Sequence, residues 1–304
     1  MLNFKQIEAL FWLRELQSYG KVAKKLHLTQ PAVSARISAL EEQIGQKLVV
    51  RAGIGVRLTR LGYELAGYSE HILLARSSFM KRIERQPQNL LRIAIVGPCA
   101  WTWAPTFRQI LSQEADLPKI EFTVGSNAQI ERELQVGAFD IAFLSISPGQ
   151  SKPTSEFAIS YDVGWVAVPE LVEKISHPAT VKEISTHELI LYPPTSPLHS
   201  PVQDMLMRYE TEAGIQHHTH SLSNIVQMLK FGFGVSAIPL SVVSSEIEEG
   251  ALEVIQTEDA FPPLIVQNVR GTLNDRGLLN VILEAARQSV SDCVNEGEKF
   301  MRLV

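Results

Sequence analysis

Thr29-Gln30-Pro31-Ala32-Val33-Ser34-Ala35-Arg36-Ile37 is the stretch on which the reading of this chain turns. Thr29 suits a helix N-cap, and Pro31 suits the first turn, where its missing N–H costs little. Val33, Ile37, Leu40 and Ile44 follow at spacings of four, three and four, which gives one buried face. At about 100° per residue the opposite face carries Pro31, Ala35, Ser38 and Glu42, flanked by Gln30 and Ser34. A helix that enters a major groove by its N-terminal end needs small or hydrogen-bonding side chains there, and its first N–H groups can hold a phosphate. The alternative is the solvated face of an ordinary core helix.

The flanks weigh on that choice. Upstream, Asn3 and Gln6 have capping-box spacing, with Ile7, Leu10 and Phe11 at helical intervals, so a first helix is expected over about residues 4–16. A short second helix fits residues 19–26, with Val22, Ala23 and Leu26 inward and Lys21, Lys24 and Lys25 outward, and His27-Leu28 makes the turn. Downstream, Leu48-Val49-Val50-Arg51 and Val56-Arg57-Leu58-Thr59 read as two strands around a Gly-containing turn. Three helices and a basic hairpin make a winged helix-turn-helix, in which phosphate contacts fix position and one helix reads bases.

Charge supports a nucleic-acid partner for this segment alone. The 304 residues carry a formal net charge of −5, yet residues 1–60 hold ten Lys/Arg against four acids, leaving 18 basic and 29 acidic residues in the remainder. A head at +6 suits phosphate and a body at −11 does not.

In sequence, Ser18-Tyr19, Val22-Ala23, Leu26, the run from Thr29 to Ser34, Ile37, Leu40-Glu41, Gly45, Leu48, Arg51, Leu58-Thr59 and Gly62 resemble the DNA-binding head of the LysR-type transcriptional regulators. The resemblance implies that Thr29, Gln30, Pro31, Ser34, Arg36, Ser38, Arg51 and Arg57 meet double-stranded promoter DNA. Gln30 and Ser34 suit base edges. One departure matters: Ala35 stands where many members carry Arg, and Arg36, one step on, projects toward the helix flank and a phosphate.

After Thr59, itself a natural N-cap, Leu61, Leu65, Tyr68, Ile72, Ala75 and Phe79 fall at spacings of 4, 3, 4, 3 and 4. This is a heptad seam, which suits self-association through Leu61, Leu65, Tyr68, Ile72 and Phe79, or packing on the chain's own body. The resemblance implies the first, as a homodimer or homotetramer, and a contact with RNA polymerase. Arg85-Gln86-Pro87-Gln88-Asn89 then ends the helix with a polar hinge.

From Leu90 onward, strand-like and helical segments alternate. Strands are expected at 91–96, 120–124, 139–145, 164–168, 188–192, 235–238 and 264–267, and helices at 101–115, 128–136, 201–212, 224–231, 241–248 and 275–290. Such alternation implies βαβ units on a mostly parallel sheet. Leu91-Arg92-Ile93, Leu134 with Gly137 and Phe139-Asp140-Ile141-Ala142, and Gly232-Phe233-Gly234-Val235 before Ile238-Pro239 again resemble the LysR-type sensor domain, which is similar to periplasmic binding proteins. The expected chain is therefore α/β in class. A winged helix-turn-helix spans 1–60, a long linker helix and hinge span 61–89, and a two-lobed, periplasmic-binding-protein-like effector domain spans 90–304. Its lobes are expected at about 91–163 with 269–304, and at about 164–268.

Ligands of parallel sheets bind beyond the strands' carboxyl ends, where helix N-termini point. That rule selects Pro98, Cys99, Ala100, Trp101 and Thr102 after the first strand, Gly125, Ser126 and Asn127 after the second, and Ser145 and Ser147 after the third. From the other lobe it adds Thr195, Ser196 and His199, then Ser223 and Asn224, then Phe233. Hydroxyls and helix N-termini suit a small-molecule effector that is an anion such as a carboxylate, and Trp101 and Phe233 could cover an apolar part. For each serine the competing role is a helix cap, and for Trp101 a core position.

Other chemistry finds little support. Cys99 and Cys293 are too few for a disulfide framework or thiolate cage, and Cys99 has no basic neighbour in sequence to activate it. His217-His218-Thr219-His220 lacks the accompanying ligands of a metal site, and Gly53-Ile54-Gly55 reads as a wing turn. No P-loop, GxSxG or HExxH motif occurs, so neither an enzyme nor a cofactor is expected. No apolar run approaches the ~20 residues of a membrane span, and the amino terminus lacks a signal-peptide core, which points to the cytoplasm. The leading reading is a DNA-binding regulator whose promoter contacts respond to an effector bound between the lobes. The rivals are a ligand-binding or enzymatic α/β protein with a dispensable helical head, and a constitutive architectural DNA-binding protein.

Overall fold

The computed structural model describes residues 3–52, 55–84, 90–146, 155–209, 214–219 and 221–304. The expected wing-turn residues Gly53 and Ile54, the hinge 85–89, Ser147 and His220 lie outside them. Head and body form separate compact units and are taken one at a time.

In the head, α1 (Phe4–Leu16) opens on a complete capping box: Asn3 accepts from the Lys5 amide, and Gln6 accepts the Asn3 amide at 3.0 Å. Ser18 caps α2 (Tyr19–Lys25), and His27, at φ 53°, turns the chain into α3 (Gln30–Ile44). Thr29 occupies the N-cap of α3, although its hydroxyl makes no capping bond, and Gly45 ends the helix at φ 75°. β1 (Val49–Ala52) and β2 (Gly55–Leu58) pair antiparallel as the wing, with Arg51 opposite Val56. Leu10, Leu13, Val22, Val33, Ile37, Leu40, Leu48 and Leu58 close one core beneath these elements.

The long helix α4 (Arg60–Glu84) begins on that core. Thr59 caps it, accepting the Gly62 amide at 3.0 Å. Leu61 and Leu65, expected on the self-association seam, pack against the head's own core with Ala66. A heptad pattern records which residues face an apolar partner, not whether that partner belongs to the same chain. Farther along, the seam is bare: Tyr68, Ile72 and Phe79 are exposed, as is Ile83. The neighbouring face carries Glu70, which pairs with Arg14 of α1 at 2.9 Å, and Arg76, which lies over the Phe4 ring.

In the body, β3 (Leu90–Val96) leads to α5 (Gly97–Trp101) and α6 (Ala104–Gln113). The sequence pattern predicts one helix over 101–115. Two are found, because Pro98 and Pro105 each occupy a helix's first turn and neither can sit in an interior. Trp103, at the break, packs edge-on against Phe107 and Phe143, and its indole donates to the Tyr161 hydroxyl at 2.8 Å. β4 (Lys119–Gly125), α7 (Asn127–Gln135) and β5 (Ile141–Ile146) complete the parallel part, in which β4 and β5 flank β3. β6 (Ala158–Tyr161) then adds to the same sheet.

The chain next passes to a second lobe. β7 (Val163–Ala167) is followed by α8 (Pro169–Val172), α9 (Val181–Ser185), β8 (Leu189–Leu191), α10 (His199–Arg208), β9 (Gln216–His218), α11 (Leu222–Lys230), β10 (Ser236–Pro239), α12 (Ser244–Glu248) and β11 (Glu253–Ile255). β10 and β11 flank β7 antiparallel, while β8 and β9 pair in parallel. β12 (Leu264–Arg270) returns to the first sheet, α13 (Arg276–Asn295) packs on α6, and β13 (Met301–Leu303) closes the edge.

The order of the six-stranded sheet is β13-β6-β12-β5-β3-β4, and its pairings from β13 through to β5 are all antiparallel. The expected mostly parallel sheet is thus mixed. β12 enters from the second lobe at the end where β5 leaves, so it must run against β5, and it joins the sheet at Leu264, ahead of the expected boundary near 269. Asp140 secures the join: its carboxylate accepts the Arg92 amide at 2.9 Å and the Thr272 hydroxyl at 2.6 Å.

Candidate functional site

Two concave surfaces stand out. On the head, Gln30, Pro31, Ser34 and Ser38 of α3 line a hollow of about 950 Å³, together with Ser18, Tyr19 and Gly20 at the start of α2 and Val49, Val50, Gly55 and Val56 of the wing. Helical periodicity places the α3 residues together, since Ile37 and Leu40 point the other way into the core. Arg36 stands apart, its guanidinium 3.5 Å from the Lys5 carbonyl at the start of α1. Arg57 is exposed on β2 and Thr29 is exposed before α3, whereas the Arg51 side chain is outside the described residues. Glu41 and Lys47, not selected from the sequence, also border the hollow, joined at 2.7 Å.

In the body, a cleft of about 380 Å³ opens where the carboxyl ends of β3, β4 and β5 face the second lobe. Pro98 and Trp101 come from α5, and Gly125, Ser126 and Asn127 from the turn into α7. Thr195 and Ser196 come from the loop after β8, and Ser221, Leu222 and Ser223 from the start of α11. The N-termini of α7 and α11 therefore both open on it. Ser126 and Ser221 serve as their caps, accepting the Gln129 and Asn224 amides at 3.3 and 3.4 Å. The Asn127 side chain is already engaged, since it accepts the Ser145 amide and donates to the Ser145 carbonyl. No charged side chain is in the described lining.

Several expected members lie elsewhere. Cys99 is fully buried, with Tyr161 donating to its sulfur at 3.8 Å, and burial pushes its thiol up to about 12, so it is neither a lining group nor a reactive thiolate. Thr102 donates to the Pro98 carbonyl at 2.8 Å and bonds the Tyr161 hydroxyl at 3.2 Å, and Ala100 is absent from the described lining. The Nδ1 of His199 lies 3.0 Å from the Tyr192 carbonyl and fixes the loop. Asn224 is exposed one position past the lining residue Ser223. Phe233 precedes β10, at its amino end, and sets its ring edge-on to His217, while Pro239 at the carboxyl end lines the cleft.

Sequence reasoning did not select Tyr192, Pro193 or Pro197, which also line the cleft, although the run Tyr192-Pro193-Pro194 after a strand was a usable signal. The Tyr192 hydroxyl is buried without a described hydrogen-bond partner, and burial raises its pKa. Leu264 was beyond the carboxyl-end rule, because it starts its strand.

Residues 4–63 match the family model described as "Bacterial regulatory helix-turn-helix protein, lysR family", and residues 84–270 match "LysR substrate binding domain". The chain belongs to the LysR family. It is a LysR-type transcriptional regulator with a DNA-binding head and an effector-binding body. Over 263 residues this LysR-type chain is 27% identical to the HTH-type transcriptional regulator MetR of Salmonella typhimurium (strain LT2), an alignment covering 84% of the chain and 80% of that protein. MetR of Escherichia coli (strain K12) is 25% identical over 295 residues, 96% of this chain and 92% of that one. Among solved structures, full-length BenM aligns with a TM-score of 0.53 at 20% identity, covering 98% of this chain and 99% of its own. A full-length OxyR variant from Pseudomonas aeruginosa aligns with a TM-score of 0.53 at 17% identity, covering 94% and 100%. These two likenesses concern the fold. Among the described residues, no helix is long and apolar enough to cross a membrane.

Proposed function

We propose that the regulator responds to a small monoanionic molecule, such as a carboxylate with an apolar portion, held in the cleft between the two lobes of the body. The observation that carries this reading is the lining: hydroxyls and two helix N-termini converge on a space whose described lining has no charged side chain. A helix N-terminus presents roughly half a positive charge and unpaired N–H groups, so two of them offset about one negative charge. A second charge, or a cation, would be desolvated without a partner. Thr195, Ser196, Ser126 and Ser223 supply hydroxyls, and Trp101, exposed within the lining, covers the apolar portion.

On the head, Gln30, Ser34 and Ser38 read base edges beside Thr29 and Pro31, while Arg36, Arg51 and Arg57 hold phosphates. Two heads joined through the bare part of the α4 seam, at Tyr68, Ile72 and Phe79, would meet half-sites roughly 10 bp or a multiple apart. The effector acts by binding one arrangement of the subunits more tightly than the other, since equal affinity would shift nothing.

The test is a thermal-shift screen of the full chain against monocarboxylates, dicarboxylates and amines of similar size. Saturation at about 100 Kd corresponds to roughly 2.7 kcal/mol of stabilisation. Stabilisation by monocarboxylates, lost in a variant carrying both Thr195→Val and Ser223→Ala, supports the reading. A response confined to amines or dicarboxylates refutes the assignment of charge.

A further inference from the structure

The backbone at the entry to the wing, residues 47–49, is held from both sides. From α3, Glu41 takes the Leu48 and Val49 amides on one carboxylate oxygen, at 2.9 and 3.1 Å, and the Lys47 ammonium on the other at 2.7 Å. From the start of α4, Thr59 donates its hydroxyl to the Lys47 carbonyl at 3.0 Å and its amide to the Leu48 carbonyl at 2.8 Å. The Thr59 hydroxyl also receives the Gly62 amide, and a Cβ at position 62 would stand 2.2 Å from the Leu48 carbonyl oxygen. Three elements therefore meet on one short piece of backbone.

Glu41 is only 7% exposed, whereas the Lys47 side chain is 76% exposed. A surface ion pair alone is a poor reason to bury a carboxylate, because the desolvation is certain and the gain from an exposed lysine is small. Two fixed amide donors are a better one. Burial pushes the Glu41 carboxyl upward in pKa. The bonds from Lys47 and the two amides outweigh that effect and hold it below its ordinary value, so it is charged at neutral pH.

We infer that Glu41 is a positioning residue for DNA recognition, which sets the wing against the reading face of α3 by gripping the first residues of the hairpin. The role rests on the reading of the wing as a phosphate contact, made above for Arg57. It predicts that the wing's DNA contacts depend on a residue whose carboxylate is taken up by the wing's own backbone. Thr59 and Gly62 hold the opposite side of the same backbone, so the first turn of α4 moves with the wing.

The test uses the full chain and a duplex selected from a random library by the unaltered protein. Glu41→Ala is expected to lower affinity for that duplex at least tenfold and to erase hydroxyl-radical protection in the flanks of the bases read by α3, where the wing's phosphate contacts would fall, while the central protection persists. Affinity for an unselected duplex at low salt should change less than twofold. Glu41→Gln keeps a carbonyl able to accept both amides and should restore affinity to within threefold of the unaltered protein. If Glu41→Ala does not fold, Glu41→Asp, one methylene too short to reach both amides, takes its place with the same loss expected. Flank protection that survives in the folded variant overturns the inference. Arg57→Ala separates the two readings. If it leaves the flanks protected, the wing assignment fails. If it erases them and the Glu41 variants do not, the positioning role alone fails.

Discussion

The hollow on the head and the cleft in the body are both rich in hydroxyls, but they are assembled differently. Gln30, Pro31, Ser34 and Ser38 come from nine consecutive residues of one helix, and their common direction follows from its period. The cleft draws Trp101, Ser126, Thr195, Ser223 and Leu264 from helix ends, loops and strand ends spread over more than half the chain. The α3 part of the hollow, which one helix presents, can be altered without disturbing the fold beneath it. A surface built from convergent loops is only as well placed as the backbone contacts that bring the loops together.

The strongest way to break that contrast is to disturb such a contact. Gly234 has φ of 149°, and a Cβ there would lie 2.0 Å from the Glu188 carbonyl oxygen. Gly271 would place one 2.1 Å from the Phe139 carbonyl oxygen. In either case rigid backbone must give way, and Gly234→Ala adds the strain of a conformation that L side chains rarely adopt. Each substitution is expected to destabilise the body by roughly 3 kcal/mol or more, read as an earlier denaturant midpoint of the full chain. An unchanged midpoint would show that the close approaches relax at no cost.

The head should respond in the opposite sense. Ser34→Arg puts a long cation on the outer face of α3, away from Ile37 and Leu40 in the core. Specific DNA affinity is expected to fall about 100-fold, because the side chain crowds the groove, while stability moves by less than about 0.5 kcal/mol, the ordinary range for a surface change. A variant that still protects the same duplex with normal affinity would remove α3 from the role of reading helix.

The same contrast governs what could be read in the chain itself. Helix α3, its cap position and its inward face follow from spacing alone, as does the capping box of α1. Glu41 carries part of the family resemblance, but its role could not be read from the sequence, because a glutamate on an amphipathic helix looks solvated until the wing's amides are seen folded over it. Leu61 and Leu65 fit a seam between chains and fit the head's own core equally well, and within the chain they pack, partly buried, against that core. In the body, the carboxyl-end rule finds Pro98, Trp101, Ser126 and Ser196, whose strands run as the rule assumes. It has no means of finding Leu264, since the direction of β12 depends on a return from the other lobe.

The smallest expected effect tests the edges of the cleft. Asn224 and Phe233 are both selected by the sequence pattern, and both lie outside the described lining. Asn224 offers its backbone amide to the Ser221 cap, which alanine can do as well, and Phe233 keeps its ring against His217. For the monocarboxylate that most stabilises the unaltered protein, Asn224→Ala and Phe233→Ala should each leave affinity within twofold. Trp101→Ala, which removes apolar surface from the lining itself, should weaken it about tenfold, equivalent to roughly 1.4 kcal/mol. Titration calorimetry on the full chain gives all three values. A loss at Phe233 as large as that at Trp101 would mean that the ligand reaches past Pro239 to the amino end of β10, and the boundary drawn by the lining would have to be extended there.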